Sequence, residues 1–420
     1  MLHVRPWPDS LTLRYSYETI KQHLFRVHCL HVIEGCVERV EKEASPAKEF
    51  RYFVVRKADK LLDGDHEFRF FGLAAPNMQQ NESQLRTDMA NRFPDEFEIR
   101  DLFGGLVTRT FTLSISTPAD SGLPVYVSAR RTYNEEAYRC LDRIIALASE
   151  YDIRLIIPFI ASQSFRGIRG VDEFSALSGK PKGSFWTDEE VKADFKHLLG
   201  YILNRKNTVD GKLYKNDPAI LAWQLGNEFG SYEGDRKLNY DEWSPKILQW
   251  SIEMAAYFKA IDPNHLAMEA GGDDRKAFLA DATIDVISDH LYEYWKRMGN
   301  QPWELGPIAH ESREECKGKK ALVVDEFGLG STENLTSLMD TICNSGISGG
   351  LLWSIRSHGR DGGWYYHNEG GTKVNSFHVP GYADGFHYDE TRMPISSDSG
   401  RLKFAVSNRP KLKSRIRSRY

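Results

Sequence analysis

The sequence contains few cysteines, little net charge and no long hydrophobic run. Its five cysteines are odd in number and widely spaced, so neither a disulfide framework nor a zinc pattern is readable from them. No apolar run approaches the roughly 18 residues that a membrane-spanning helix needs. The net charge is only −4, and basic residues are spread along the chain, so nothing in the composition demands a nucleic-acid or membrane partner.

The two ends of the chain show no recognisable targeting or binding segment. Residues 1–10 contain two prolines and no apolar core follows them, so we find no signal peptide. Residues 409–420 carry six basic and no acidic side chains, a composition typical of a solvated tail. Residues 1–48 are rich in histidine and charge, and we predict an N-terminal extension there, followed by one catalytic domain over residues 49–420.

Eight short β-rich runs alternate with helical stretches from about residue 48 onward. Several of the runs are almost wholly apolar, as expected of strands that are buried on both faces. Eight such units over about 350 residues predict a (β/α)8 barrel, and a doubly wound sheet is the alternative. The predicted strands are Phe68–Leu73, Leu106–Phe111, Ile153–Phe159, Leu221–Leu225, His265–Glu269, Asp285–His290, Leu322–Asp325 and Gly350–Ser354.

Sequence signals for helix starts and stops lie between the predicted strands. Thr132–Glu135 and Thr187–Glu190 each match a capping box. The first is followed by apolar residues at helical spacing from Tyr138 to Ala148, which predict a helix there, and the second opens a predicted helix that runs to about Asn204. Two further helices are predicted, from Trp243 to Ile261 and from Ser331 to Asn344.

Two glutamates follow predicted strands at the end where barrel enzymes carry their reacting groups. Glu228 comes soon after Leu221–Leu225, and Glu326 comes directly after Leu322–Asp325. The two strands are three apart in order, which places the carboxylates across the barrel mouth. Hydrolysis of a glycosidic bond needs such a pair, one to protonate the leaving oxygen and one to meet the developing cation. The alternative is a pair of surface carboxylates, but an acid at the end of an apolar strand is costly without a reason.

Three other motifs predict no chemistry. Gly346–Gly350 matches the pentapeptide of a serine-hydrolase elbow, but it precedes a strand, so we interpret Ser348 as a turn residue. His310–Glu311 lacks the second histidine of a zinc helix and is interpreted as surface. A metal site formed by His28 and His31 is the alternative to ordinary solvated helix positions, which we prefer.

Around the two glutamates the sequence resembles glycoside hydrolase family 5, and within it the β-mannanase-like branch. The most specific match joins residues 204–208 to residues 214–228, which end in Asn-Glu. Residues 255–265 resemble the fifth helix and strand of the family, and residues 323–328 resemble its nucleophile strand. The resemblance runs from about Phe53 to Asp389 and therefore covers most of the chain.

The resemblance implies a role for each residue of the site. Glu228 would be the acid/base and Glu326 the nucleophile of a retaining mechanism that needs no metal or organic cofactor. Asn227 would bind the 2-hydroxyl of the sugar. Arg109 would orient the nucleophile and lower its pKa, although taken alone it is also an ordinary salt-bridge donor.

The sixth and eighth strands supply the remaining residues that the resemblance implies. His290 would support the site, Tyr292 would hydrogen-bond the nucleophile, and Trp353 would form a floor beneath the sugar at the point of cleavage. Taken alone, His290 and Trp353 also fit core positions. Weaker candidates in the loops above the barrel are Asn77, Trp186, His358 and Asp361.

The loops depart from the family pattern and leave the substrate open. Phe229 stands where many relatives have proline, and residues 161–165 replace a polar pair and tryptophan that mannanases often carry. The loops over residues 166–182 and 356–367 are candidate outer walls that could close one end of the cleft.

The resemblance implies hydrolysis of β-1,4-mannosidic linkages in mannan-type polysaccharides. An exo-acting β-mannosidase or a β-glucanase on the same barrel is the alternative, and a non-catalytic carbohydrate-binding protein is the alternative from another class. The expected partner is β-mannan or a manno-oligosaccharide, and we expect a monomer. The family resemblance also implies an extracellular enzyme, although no signal peptide is seen.

Overall fold

Eight parallel strands of this chain close into a barrel. A computed structural model describes residues 50–81, 92–120, 123–164, 169–232, 240–271, 275–293, 304–328, 330–360, 363, 365, 368–369 and 373–374. The predicted extension over residues 1–48, with His28 and His31, lies outside these residues, so the predicted domain division stays a prediction. The (β/α)8 fold is confirmed, and the doubly wound alternative is wrong because the sheet closes on itself.

The barrel strands follow one another in chain order, and the eighth pairs back with the first, for example at Leu352 and Leu73. All eight predicted runs contain a strand, although the boundaries differ by a few residues. The strands are β1 Phe70–Ala74, β2 Val107–Arg109, β3 Arg154–Pro158, β4 Ile220–Gln224, β5 Leu266–Met268, β6 Val286–Tyr292, β7 Ala321–Gly328 and β8 Gly349–Trp353.

Short strands outside the barrel form three small antiparallel units. The first is a meander of Val54–Lys57, Lys60–Asp63 and His66–Glu67. Val54 and Leu61 of this meander share an apolar cluster with residues of the barrel strands, so the meander covers part of the barrel interior. The other units are hairpins of Val127–Ala129 with Thr132–Tyr133 and of Asn368–Glu369 with Lys373–Val374.

Helices follow each of the first seven barrel strands. They are α1 Glu96–Leu102, α2 Glu135–Glu150, α3 Val171–Ala176, α4 Ser184–Thr187, α5 Glu189–Leu203, α6 Tyr240–Ile261, α7 Arg275–Ala280, α8 Leu305–Cys316 and α9 Thr332–Ser345. Single 3₁₀ turns lie at Pro76–Met78, Pro118–Asp120, Tyr214–Asn216 and Phe229–Ser231. Among the described residues, no helix combines the length and apolar character that a membrane crossing requires.

The four predicted helices are present, but both predicted capping boxes are wrong. The cap of α2 is Asn134, whose side chain accepts the main-chain N–H of Glu136. Thr132 pairs in the hairpin instead, which takes its backbone out of reach of the helix. The cap of α5 is Asp188, one residue after the predicted Thr187. Each cap still satisfies N–H groups that the first turn of a helix leaves unpaired.

β7 contains one extra residue relative to the strands that pair with it on either side, β6 and β8. Asp289 pairs with Val324 and His290 pairs with Glu326, so Asp325 has no opposite number on β6, and the pairing with β8 shows the same shift. Side chains of a regular strand point alternately to opposite faces. The bulge allows two consecutive carboxylates to point the same way, and both lie within 3.2 Å of one buried guanidinium in the barrel mouth.

A buried ion pair joins α2 to the segment after α5. The guanidinium of Arg205 lies 2.7 Å from Asp142, which also accepts the hydroxyls of Tyr214 at 2.6 Å and Thr208 at 2.7 Å. Burial raises the pKa of Asp142, but the hydrogen bonds from these three side chains outweigh it and leave that pKa below its usual value. Part of the most specific family motif therefore stabilises the fold and takes no part in the chemistry.

We expect Asp142→Ala to destabilise the protein by about 3 kcal/mol, the lower end of the range for breaking a buried ion pair, because Glu135 remains beside Arg205. Urea denaturation measures the free energy of unfolding. The matched control is Glu135→Ala, which removes the half-exposed partner of the same arginine and should cost at most about 1 kcal/mol. Equal losses for the two variants would contradict the assignment.

Candidate active site

Arg109 lies at the end of β2 and forms the centre of the site. Its side chain is fully buried and donates from Nη1 to Glu326 at 2.7 Å, from Nη2 to Asn227 at 2.7 Å and from Nε to Gln224 at 2.8 Å. Asp325 lies 3.2 Å from the same Nε. One cation thus joins the ends of β2, β4 and β7, because a buried guanidinium needs an acceptor for each of its N–H groups.

Glu326 is held from two sides. Its Oε1 accepts Nη1 of Arg109, and its Oε2 accepts the hydroxyl of Tyr292 at 2.7 Å. Arg109 and Tyr292 are hydrogen-bond donors in this arrangement, and donors stabilise the ionised form of a carboxylate. The geometry therefore fixes both oxygens of Glu326 and suits it to act as an anion.

Glu228 lies opposite, in a backbone conformation that residues with a side chain rarely adopt. Its φ is +52° and its ψ is +50°, which is the left-handed region. The main-chain oxygen of Glu228 accepts the hydroxyl of Ser162 at 2.5 Å. Its carboxylate accepts the amide of Gln163 and contacts Nδ1 of His290 at 2.8 Å. Such backbone strain, about 1–3 kcal/mol, is typical of functional sites and turns the carboxylate towards the barrel axis.

The two glutamates lie close enough for direct cooperation. One carboxylate oxygen of Glu228, one of Glu326 and a ring nitrogen of His290 are within 4.8 Å of one another. A set of this size can also hold a cation. Here, however, hydrogen-bond donors already occupy the carboxylate oxygens, and the guanidinium of Arg109 lies 2.7 Å from one of them. This arrangement favours proton transfer over metal binding.

The protonation states of the site depend on His290. Burial raises the pKa of Glu326 to about 7, although the charges of His290 and Arg109 lower it. Burial also raises the pKa of Glu228, but the hydrogen bond and charge of His290 outweigh it and leave that pKa below its usual value. Burial lowers the pKa of His290, whereas the charges of Glu326 and Asp325 raise it well above its usual range.

Considered one at a time, these pKa directions would leave Glu228 without a proton to donate. His290 removes the difficulty, because its Nδ1 lies 2.8 Å from Oε1 of Glu228 and can pass a proton across that hydrogen bond. Once Glu326 is ionised, one proton remains on the pair formed by His290 and Glu228. That state contains one anion and one proton donor on opposite sides of the mouth.

Trp353 lies at the end of β8, beside Tyr292. It is 6% exposed and shares a small apolar cluster with Ala74, Phe111 and Tyr292, with a distance of 5.6 Å between its ring centroid and that of Phe111. The peptide bond between Trp353 and Ser354 is cis. The cluster forms an aromatic surface next to Tyr292, and the apolar face of a sugar stacks on surfaces of this kind.

Three of the weaker candidates, Asn77, His358 and Trp186, have described contacts, and these are with residues other than the two glutamates. Asn77 accepts from Arg356 at 2.7 Å, and the main-chain N–H of His358 donates to Asp101 at 2.7 Å. Trp186 is only 2% exposed and packs edge-to-face against Phe229, so it supports the residue after Glu228 and offers no face to a cleft. The fourth candidate, Asp361, lies outside the described residues.

Four polar residues of the site were missed in the sequence. Gln224 was detectable, because it is the one amide within the otherwise apolar run of β4. Gln163 lies in the loop that departs from the family pattern, and its contact with Glu228 depends on how that loop folds. Asp325 is adjacent to Glu326 and would point outward in a regular strand. Ser288 donates to Asp325 at 2.5 Å from β6 and carries no signal in the sequence.

Comparison with known proteins agrees with this geometry. A model described as GH family 5 beta-mannosidase-like matches residues 156–298. Mannan endo-1,4-beta-mannosidase 1 of Arabidopsis thaliana is 34% identical over 242 residues, which are 50% of this chain and 56% of the relative. Mannan endo-1,4-beta-mannosidase 1 of Oryza sativa subsp. japonica is 34% identical over 229 residues, which are 47% of this chain and 51% of the relative. Over residues 156–298 the chain is thus similar to glycoside hydrolase family 5.

The fold of this chain also has solved counterparts. The endo-beta-1,4-mannanase from Thermotoga petrophila has a TM-score of 0.62 to it at 20% identity, over 75% of this chain and 74% of that one. At this identity the similarity concerns the fold. The chain spans about half the length of the two curated relatives.

We expect Tyr292→Phe to raise the pKa of Glu326 above its value of about 7, because the tyrosine hydroxyl stabilises the ionised carboxylate. The chemical shift of the Glu326 carboxyl carbon, followed against pH in ¹³C-labelled protein, measures the change. Tyr133→Phe is the matched control, since its hydroxyl contacts His197 away from the site. An unchanged Glu326 titration in Tyr292→Phe would contradict the assigned contact.

Proposed function

We propose that this chain is a retaining glycoside hydrolase that cleaves β-1,4-mannosidic linkages in mannan-type polysaccharides. The observation that carries the proposal is the pair Glu228 and Glu326, with carboxylate oxygens within 4.8 Å of each other. Retaining enzymes hold their carboxyl groups about 5–5.5 Å apart, whereas inverting enzymes need about 6.5–9.5 Å to admit a water molecule. The mannan substrate is supported by the names of the relatives from Arabidopsis thaliana and Oryza sativa.

Glu326 starts the reaction by attacking the anomeric carbon of the bound sugar. The bond from that carbon to the glycosidic oxygen breaks, and Glu228 transfers its proton to the departing oxygen. A covalent glycosyl ester on Glu326 results. In the second step Glu228 takes a proton from water, the resulting nucleophile attacks the same carbon, and Glu326 leaves as a carboxylate. The two displacements approach the anomeric carbon from opposite faces and each inverts its configuration, so the product retains the original one.

The neighbouring side chains assist these steps in different ways. Arg109 and Tyr292 stabilise the ionised form of Glu326 and orient it before attack. Arg109 also fixes the amide of Asn227, whose oxygen accepts Nη2 at 2.7 Å, so that the Asn227 nitrogen is left to donate to the sugar 2-hydroxyl. Trp353 is the floor beneath the sugar. All of these groups come from one chain, so the proposal requires no second subunit and includes a monomeric enzyme.

Incubation with linear β-1,4-mannan and with short manno-oligosaccharides tests the substrate. We expect a mixture of short oligomers whose newly formed ends are first detected by NMR as the β-anomer. Release of mannose alone would identify an exo-acting β-mannosidase, and α-anomer formation would contradict the double displacement. Cleavage of β-glucan without cleavage of mannan would overturn the substrate assignment. Mannan binding without any turnover would favour a carbohydrate-binding protein.

Substitution of each glutamate tests the division of roles. We expect Glu326→Ala to lose turnover while it keeps the fold, and Glu228→Ala to slow the cleavage of unactivated linkages by about 10²–10⁴-fold. Activated aryl mannosides need no protonation, so Glu228→Ala should form the glycosyl-enzyme from them at close to the normal rate. Glu96→Ala, on the exposed face of α1, is the control and should keep full activity. Full activity in Glu326→Ala would contradict the assignment of Glu326 as the nucleophile.

A further inference from the structure

His290 contacts carboxylates at both of its ring nitrogens. Nδ1 lies 2.8 Å from Glu228 and 3.4 Å from Glu326, and Nε2 lies 3.4 Å from Asp325, a third carboxylate on the inner side. The proposed reaction uses Glu228 and Glu326 and assigns no role to Asp325. Asp325 is fully buried, and a buried charge costs free energy unless something offsets it.

Asp325 is held more firmly than a chance neighbour of the nucleophile would be. The hydroxyl of Ser288 donates to its Oδ1 at 2.5 Å, and the amide of Gln224 donates to its Oδ2 at 2.8 Å. The bulge in β7 turns its side chain into the barrel. Because Asp325 lies on the inner side of His290 and has no exposed atom, it has no access to a substrate in the mouth.

Arg109 does not need Asp325 as a hydrogen-bond acceptor. Its Nε donates to Gln224 at 2.8 Å, closer than the 3.2 Å to Asp325, and its two terminal nitrogens donate to Glu326 and Asn227. Each nitrogen of the guanidinium therefore has an acceptor without Asp325, although the two opposite charges still attract. The other charged neighbour of Asp325 is His290, whose Nε2 lies 3.4 Å from it.

We propose that Asp325 is a positioning residue that holds His290 with Nε2–H pointing inward and keeps a proton on the ring for Glu228. The proposal rests on the function proposed above. Before cleavage the proton moves from Nδ1 of His290 to Oε1 of Glu228, and from there to the departing oxygen. In the second step Glu228 takes a proton from water and returns it to Nδ1. A carboxylate behind an imidazole fixes the tautomer and stabilises the imidazolium in other hydrolytic sites.

The charges that face His290 come from several strands. Glu228 follows β4, while Asp325 and Glu326 belong to β7, so three carboxylates favour the imidazolium. Within the part of the chain that the structure describes, the cation that pairs with these groups besides His290 is Arg109 on β2, which lies against Asp325 and Glu326. Asp325 is the only one of the three carboxylates that the reaction does not need, so its charge can be removed while both reacting groups remain.

Asp325→Asn tests the proposal, because asparagine keeps the shape and removes the charge. We expect the alkaline limb of kcat/KM on manno-oligosaccharides to move to lower pH by about 1–3 units, the usual effect of one nearby opposite charge. The shift should be absent with a dinitrophenyl mannoside, whose leaving group needs no proton. A purely structural role would lower both activities alike and leave the limb in place.

Asp289→Asn is the matched control. Asp289 is the residue before His290 and is also buried, but its carboxylate bonds to Arg275 at 2.5 Å on the other side of β6. The same substitution there should leave the alkaline limb where it is, whatever its effect on stability. Equal shifts in Asp289→Asn and Asp325→Asn would overturn the proposal.

Titration of His290 in ¹⁵N-histidine-labelled protein tests the same contact without turnover. We expect the wild-type ring to stay protonated above its ordinary range, to become the Nε2–H tautomer when neutral, and to lose its proton at lower pH in Asp325→Asn. If the wild type shows this titration but cleaves no mannan, the proposed function fails and the contact stands. If Asp325→Asn does not fold, the wild type still decides: an ordinary titration or an Nδ1–H tautomer would overturn the proposal.

Discussion

A guanidinium buried in the mouth of the barrel constrains the whole upper end of the molecule. Arg109 has no water to solvate it, so acceptors must come from the strands around it, and they come from β4 and β7. This requirement brings Glu326 and Asn227 to fixed positions on either side of the Arg109 guanidinium. The residue after Asn227 then lies opposite Glu326, which places two carboxylates within reach of one bond. The position of the two glutamates that we propose as the catalytic pair is thus a consequence of how one cation is satisfied.

The molecule separates the residues that hold it together from those that react. The ion pair of Arg205 with Asp142 stabilises the helix layer, far along the chain from the strand ends that bear Glu228 and Glu326. Arg205 and Glu228 both lie within residues 156–298, the stretch that matches the family model, whereas Asp142 and Glu326 lie outside it. Among the described residues, four that are not glycine have a positive φ. Ala58, Arg131 and Asp152 lie in turns between elements, and Glu228 is the one at the mouth of the barrel.

Strand number, order and the two glutamates were predictable because apolar runs and the polar residues after them are local features. Arg109 and Tyr292 were predictable by family resemblance, and their contacts with Glu326 followed from barrel geometry. The inward turn of Asp325 was not predictable, since regular alternation sends it outward and only the pairing of β7 with both neighbours shows the extra residue. Gln163 was not predicted as a site residue for a related reason. Its contact with Glu228 depends on the path of a loop, which no periodic pattern encodes.

The bulge in β7 also bears on how such a protein could evolve. Asp325 is the residue without an opposite number on β6, so its deletion would leave Val324 opposite Asp289 and Glu326 opposite His290, as they are now. The pairing of the two strands would then be regular, and Glu326 would keep its place. In reverse, the gain of one codon at this point adds a polar side chain to the mouth of the barrel without changing the register of the strands. A bulge of this kind is therefore a route by which a barrel can acquire a new polar group without repacking its core.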